Sequence, residues 1–410
     1  MKTDFREFHP YDFIHEWKRV GLLVVILFVA PLSYFLMEWS LDSSDYGGLS
    51  SFYTPRFSLD QMREFAFKNS ILTDFKPAFY ARRSVSFNRI LGDVENRFDM
   101  EENDVIVFLH VQKTAGTSFE RYLVRHLNIS LPCFCRPGKK RCQCYRPGRR
   151  RGIWLFSRFS TGWICGLHAD FTELYVSGCV DNALDRKEGN IYLCLHRKRR
   201  YFYTTFLREP VSRFISEYRH VERGATWLGD RHVCNGRPPS PEQLPMCFDP
   251  DVGWDGVSLD DFLACPFNLA FNRQTRMLAD LTLVHCYDLH SMDPATRDKI
   301  MLESAKNNLK NFAFFGLKEH MSESQWMFEQ LFQLKFTRDL SEWQKSKSND
   351  TVITEHQMRL IRKRNELDLQ LYAYAEKLFF KRLKQMRSDD YFINNQKSSN
   401  ISALSNQLAG

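Results

Sequence analysis

The string VIVFLHVQKTAGTSF at residues 105–119 concentrates residue types that bind an anion. Its apolar start, 105–109, reads as a buried strand leading into a loop of small residues that opens a helix. Such a turn aims backbone N–H groups and the positive end of a helix at one point, which suits a phosphate. Lys113 adds a full charge beside the loop, and Thr114, Thr117 and Ser118 add hydroxyls. The GxxxxGK[ST] pattern of nucleoside triphosphatases is absent, since the lysine precedes the glycine, so a different donor is expected. Taken alone, the segment also fits an ordinary strand-to-helix turn.

A second string, TTFLREPVSRFIS at 204–216, again runs from strand to helix, with Arg208 between them and Arg213 and Ser216 on the helix. An arginine at the end of a parallel strand, with a serine two turns further on, can grip a second phosphate. A surface ion-pair network explains this segment equally well by itself. Residues 133–151 hold eight Lys/Arg and no acid in nineteen positions. Such a patch attracts sulfates and carboxylates in a salt-sensitive way, although a solvated loop or a nucleic-acid patch has the same composition. The run at 197–200 is a candidate extension of that patch or a further exposed loop. Cys133-x-Cys135 and Cys142-x-Cys144 invite a zinc reading, but the spacing is CxC rather than CxxC, which favours disulfides in an oxidising compartment.

The elements that must position these groups follow from hydrophobic pattern. Strands are expected at 105–109, 201–207 and 313–317. Helices are expected at 119–127, 211–221, 259–265, 268–280, 295–311 and 322–332. A long charged amphipathic helix is expected from 354 to about 387, followed by a frayed tail. Alternating strands and helices imply an α/β fold, a mostly parallel sheet flanked by helices.

The chain has 410 residues, a net charge of +8 and 43% hydrophobic residues, which excludes a disordered or fibrous chain. A mean hydropathy of −0.41 excludes a polytopic membrane protein but not a single anchor. Residues 20–37 form an uncharged apolar run spanning roughly 27 Å as a helix. Trp17 and Trp39 flank it, with Lys18 and Arg19 on its N-terminal side. The positive-inside rule then leaves a short cytosolic tail and a luminal body. Eleven cysteines and the sequons at Asn128, Asn349 and Asn400 agree with a secretory address. The expected organisation is a tail at 1–19, a transmembrane signal-anchor at 20–37, a stem at 38–100, a catalytic domain at 101–387 and a flexible tail at 388–410.

QKTAGTS followed by FLREPVSRFISEY resembles the two phosphosulfate-binding motifs of sulfotransferases that use 3′-phosphoadenosine 5′-phosphosulfate (PAPS). CRPGKKRCQCYRP, WLFSRFSTGWICGLHADFTEL, SEYRHVERGATW and CPFNLAFNRQTRMLADL narrow the resemblance to heparan-sulfate 6-O-sulfotransferases, over about residues 100–380. Ala115 departs from that family's glycine, a change that is tolerable unless the backbone there needs a positive φ.

The resemblance implies a P-loop-like sulfotransferase fold in a Golgi type II membrane protein that sulfates heparan sulfate at glucosamine O6, with no metal. It places the 5′-phosphosulfate on His110, Val111, Gln112, Lys113, Thr114, Ala115, Gly116, Thr117 and Ser118. The 3′-phosphate falls to Arg208 and Ser216. A strand at 335–338 and a closing loop containing Ser341, Glu342, Trp343, Lys347 and Ser348 follow by position, although the local sequence there differs from the family's. His168 of GLHAD is the implied catalytic base, beside Lys113 at the leaving group, with His110 as the rival base. Lys140, Arg141, Arg158, Trp163, His220 and Trp227 match substrate contacts. Alternatives are a sulfotransferase for another glycan hydroxyl, a luminal kinase, and a non-catalytic heparan-binding membrane protein of the same fold.

Overall fold

The computed structural model describes residues 84–148, 152–188, 199–225, 227, 229–249, 251–340 and 352–408, the last stretch as helical backbone alone beyond 388. All belong to one compact unit, Asn69–Gly410. The expected anchor at 20–37 and the loop at 341–348 lie outside the described residues. Among the described residues no helix is long and apolar enough to cross a membrane.

A short helix, α1 (Phe87–Gly92), comes first. Its Phe87 and Ile90 are buried in the core, so folded structure reaches into the expected stem. Strand β1 (Asp104–Leu109) is buried along its whole length, as its unbroken apolar run demands. Helix α2 (Gly116–Arg125) follows the loop. A hairpin of β2 (Phe134–Cys135) and β3 (Cys142–Gln143) leads to β4 (Leu155–Phe156). Then come α3 (Cys179–Glu188), β5 (Arg200–Leu207) and α4 (Pro210–Val221). Proline at the first turn and a Glu209 carboxylate accepting from the Val211 and Ser212 amides start α4.

The chain continues through α5 (Leu259–Ala264), α6 (Arg273–Leu278) and α7 (Pro294–Asn311) to β6 (Phe314–Leu317) and α8 (Met321–Phe332). Helices α9 (Glu355–Arg364) and α10 (Glu366–Leu408) close it. The main sheet has the order β4-β1-β5-β6, parallel throughout, because each return to its N-terminal edge passes through helices. Phenylalanines knit sheet to helices. The Phe119 ring lies 4.7 Å from Phe206 and 5.1 Å from Phe328.

Helix 268–280 is shorter than its pattern predicts, and helix 354–387 is broken in two. Both interruptions have one cause. Asn272 adopts a left-handed conformation (φ 46°) immediately before α6, opposite the break at Asn365. The Asn365 side chain accepts from the Asn272 amide at 3.2 Å, and the Asn272 side chain accepts from the Leu367 amide at 3.0 Å. Asp368 then caps α6 through the Gln274 and Thr275 amides at 3.1 and 2.8 Å. Helix α10 runs on to Leu408, through residues expected to fray. The expected strand at 335–338 is a single bridge, Leu127 to Phe336.

Gly316 of β6 shows how closely this core is packed. A Cβ there would lie 2.4 Å from the Phe206 ring. Gly316→Ala is expected to cost between about 1 and 3 kcal/mol in urea unfolding, and a loss near zero would contradict this packing.

Candidate active site

The loop after β1 is pulled tight by side chains that bond to backbone. Thr114 Oγ1 donates to Val111 O at 3.0 Å, and Thr205 Oγ1 of β5 donates to Leu109 O at 2.8 Å. Lys113 and Ala115 both take left-handed backbone, with φ of 67° and 73°. The condition under which alanine strains the loop is therefore met, at a cost of roughly 1–2 kcal/mol relative to glycine. Space is tight at Gly116, where a Cβ would lie 3.0 Å from the His110 ring and would push it back by a few tenths of an ångström. Helix α2 has no side-chain N-cap, so its first amides keep their donor capacity for an anion.

Around this loop runs a closed ring of hydrogen bonds. Gln112 Nε2 donates to Asp230 Oδ2 at 3.1 Å, and Asp230 Oδ1 lies 2.8 Å from His168 Nδ1. His168 Nε2 faces Arg158 Nη1 at 3.2 Å, and Arg158 Nη2 donates to Thr117 Oγ1 at 2.8 Å. Arginine can only donate, so Nε2 carries the lone pair and the proton sits on Nδ1, facing Asp230. Behind the ring, Glu120 accepts the Arg158 amide at 2.7 Å through Oε1 and binds His110 Nδ1 through Oε2. The two imidazoles lie 5.4 Å apart, and the Trp227 ring stands edge-on to His168 at 4.9 Å.

Burial holds His168 well below the usual histidine range, and His110 and Arg158 push it the same way. Burial also lowers His110, against the opposing pull of Glu120. His220 falls to about 4 through burial and the charge of Lys113. Lys113 itself is lowered mainly by burial. The site thus presents a neutral imidazole whose Nε2 lone pair faces Arg158, next to a confined cation.

Arg208, at the end of β5, reaches back to Lys113 O at 3.2 Å, so the two strand-to-helix segments form one site. Its backbone is held by Gln274 in both directions at 2.9 Å. Ser216 sits on the half-exposed face of α4. Arg213 points inward instead. It shares the Glu217 carboxylate with Arg273, whose Nη2 lies 2.6 Å from Oε1, and Glu217 is held down at about 2 by this pair despite the opposing effect of burial.

Disulfides Cys133–Cys144 and Cys135–Cys142 cross-link the β2–β3 hairpin, which answers the zinc alternative. Cys165–Cys179, Cys234–Cys286 and Cys247–Cys265 also form, and Cys194 lies outside the described residues. Arg136, Lys139, Lys140 and Arg141 are exposed around the hairpin turn. The hairpin docks on the chain beside Arg158, the Cys142 amide donating to Phe159 O at 2.7 Å. Arg146 is a correction to the expected patch: it is buried and donates to the Met100, Asp104 and Ile153 carbonyls. Arg199 and Arg200 are likewise engaged, with Asp185 and Glu188 and with Asp104. Trp163 is 37% exposed on a short turn anchored by Cys165. The His220 ring lies 5.1 Å from Trp227, which joins these two expected substrate contacts to His168.

Asp230 and Glu120, which orient the two histidines, escaped sequence reasoning. Asp230 is separated from His168 by 62 positions, and no local pattern marks it. Glu120 lies inside the helix, and its acid on a buried face was the available signal.

Residues 96–375 match the model of the sulfotransferase family, which accounts for the loop, the sheet and the paired anion-binding segments as one class of enzyme. Heparan-sulfate 6-O-sulfotransferase 1 of Homo sapiens is 51% identical over 291 residues, covering 71% of this chain and 69% of its own. Heparan-sulfate 6-O-sulfotransferase 2 of Gallus gallus is 47% identical over 320 residues, covering 78% and 77%. The 1-B form of Danio rerio is 48% identical over 294 residues, covering 71% and 70%. The chain belongs to the sulfotransferase family, with the heparan-sulfate 6-O-sulfotransferases.

Membership implies a sulfate-donating cofactor. The uncapped amides of α2, Lys113 and the two left-handed residues fit the anionic end of such a group. Asp230→Asn is expected to keep the fold and lower kcat for sulfuryl transfer by about 100-fold or more, because the amide no longer fixes the His168 tautomer. Unchanged turnover in a folded variant would remove Asp230 from the mechanism.

Proposed function

We propose that this chain transfers the sulfuryl group of PAPS to the 6-hydroxyl of glucosamine residues in heparan sulfate. The observation that carries this reading is the hydrogen-bond ring that ties a neutral His168 to the anion-binding loop. The names of the relatives support the acceptor and its position. We also propose a type II Golgi membrane protein, anchored at 20–37 with the body luminal. The apolar run, the sequons and the disulfides support that address.

PAPS supplies, when bound, a sulfuryl group on a phosphate leaving group. The residues His110 to Ser118 hold its 5′ end, and Arg208 with Ser216 holds the 3′-phosphate. By position in the sequence, Ser341, Glu342, Trp343, Lys347 and Ser348 are assigned to the cofactor as well. His168 Nε2 takes the proton from O6 as the new S–O bond forms. For this the acceptor hydroxyl replaces Arg158 at Nε2. Lys113 and the α2 amides stabilise charge growing on the bridging oxygen as the old S–O bond breaks. Asp230 holds the resulting imidazolium. Lys140, Arg141, Trp163, His220 and Trp227 line the approach of the polyanion, and Arg158 guides it to the base.

The test incubates the protein with radiolabelled PAPS and N-sulfated heparosan, digests the product and locates the label. Label on glucosamine O6 is expected. Label elsewhere discards the 6-O assignment, and no transfer favours the non-catalytic heparan-binding reading. His168→Ala is expected to abolish transfer while adenosine 3′,5′-bisphosphate still binds in calorimetry. The acid limb of kcat should fall below pH 6.5 and move up in Arg158→Met, because a cation that disfavours imidazolium is gone. A limb that does not move would contradict the Arg158–His168 contact. Replacing Lys140 and Arg141 by alanine should raise the acceptor KM and flatten its salt dependence, leaving the donor KM unchanged.

A further inference from the structure

A cavity of about 250 Å³ opens between α4, residues 244–248 and Trp254. Leu244, Met246, Phe248, Trp254, Phe262 and Phe267 give it aromatic and apolar walls. It is separate from the groups assigned to the donor. Ser216 lies on the half-exposed face of α4, whereas Glu217 and Val221 border the cavity from the buried face. Of the proposed acceptor contacts it shares Trp227 alone, and its apolar walls do not suit a sulfated glycan, whose surface is hydroxyls and anions.

The polar groups at its border divide unevenly. The acceptors are engaged: Glu217 takes Arg213 and both Nε and Nη2 of Arg273, and Asp230 takes His168 and Gln112. The Asn268 carboxamide is tied to the Ala270 amide and the Phe262 carbonyl. Two donors are left over. Among the described residues, Arg273 Nη1 and Trp227 Nε1 are buried without an acceptor, and Arg273 is only 2% exposed. A buried guanidinium N–H without a partner forfeits a charge-assisted hydrogen bond, a loss that a bound oxygen would make good.

We propose that this cavity is a binding site for a small aromatic molecule bearing an acceptor oxygen, of the aryl carboxylate class. The ring system fills the aromatic walls, and the oxygen accepts from Arg273 and Trp227. Such a ligand abuts Trp227 and Asp230, the two groups that pack on and orient His168.

The test is calorimetric titration of the full-length protein with 1-naphthoate, using 1-naphthylmethylamine as a control of similar size that lacks an acceptor. Saturable one-to-one binding of the carboxylate is expected, with the amine at least about tenfold weaker. Leu244→Trp, which fills the cavity, should weaken 1-naphthoate about tenfold or more. If that variant unfolds, Met246→Trp at the lip serves in its place. No saturable binding, equal binding of the amine, or undiminished binding in a folded cavity-filled variant would overturn the proposal. So would loss of binding on replacing Lys140 and Arg141, which would assign the carboxylate to the basic hairpin.

Discussion

The ring through Gln112, Asp230, His168, Arg158 and Thr117 is the constraint on which the site depends. It begins on the loop that follows β1 and ends in the first turn of α2, so the imidazole and the amides of that turn cannot move independently. Each member does two jobs in it. Asp230 sets the tautomer of His168 and also tethers Gln112. Arg158 touches His168 Nε2, the nitrogen proposed to take a proton, and also fixes Thr117 at the start of α2. In a buried, low-dielectric setting such a closed network is stiff, because breaking one bond strands a polar group. A base that must meet a reacting oxygen within hydrogen-bond reach needs that stiffness.

Behind the site, charge is buried on a large scale and balanced locally. Glu217 lies between Arg213 and Arg273, and Asp368 reaches from α10 to within 3.9 Å of Arg213 while capping α6. This couples the second anion-binding segment to the C-terminal helix. Glu217 stays ionised because two guanidinium groups outweigh its desolvation, an arrangement that loses its value only as pH falls from the ordinary glutamate range towards 2. Asp170 and Glu173 form the opposite case. Burial raises both carboxyls, and the neighbouring Asp170 raises Glu173 further, whereas two guanidinium groups hold Glu217 down.

Strand β1 was legible in the sequence because a strand buried on both faces is a continuous apolar run, β5 because its residues are aromatic and β-branched, and β6 because a short apolar run at 313–317 lies between two helical patterns. Strand β4 has two residues and no pattern to read. The breaks at Asn272 and Asn365 were illegible for a different reason: each is stabilised by the other across more than ninety positions. Distance along the chain also hides Asp230, 62 positions from His168. His168, Lys113 and Arg208 could be named because their neighbours form long, unusual strings. Arg146 shows the converse. Composition counted it with the exposed cations, and only tertiary structure reveals three carbonyls around its guanidinium.

The cross-linked hairpin has a consequence for how the protein meets a charged polymer. Arg136, Lys139, Lys140 and Arg141 repel one another, and a free loop would relax by spreading them. Two disulfides forbid that relaxation and make the turn a compressed electrostatic spring. In the proposed function a passing polyanion would discharge the spring, so part of the capture energy would be stored when the cysteines are oxidised, before any substrate arrives. On that proposal grip on the acceptor is written into the oxidation state of the chain, while the loop after β1, which contains no cysteine, stays indifferent to it.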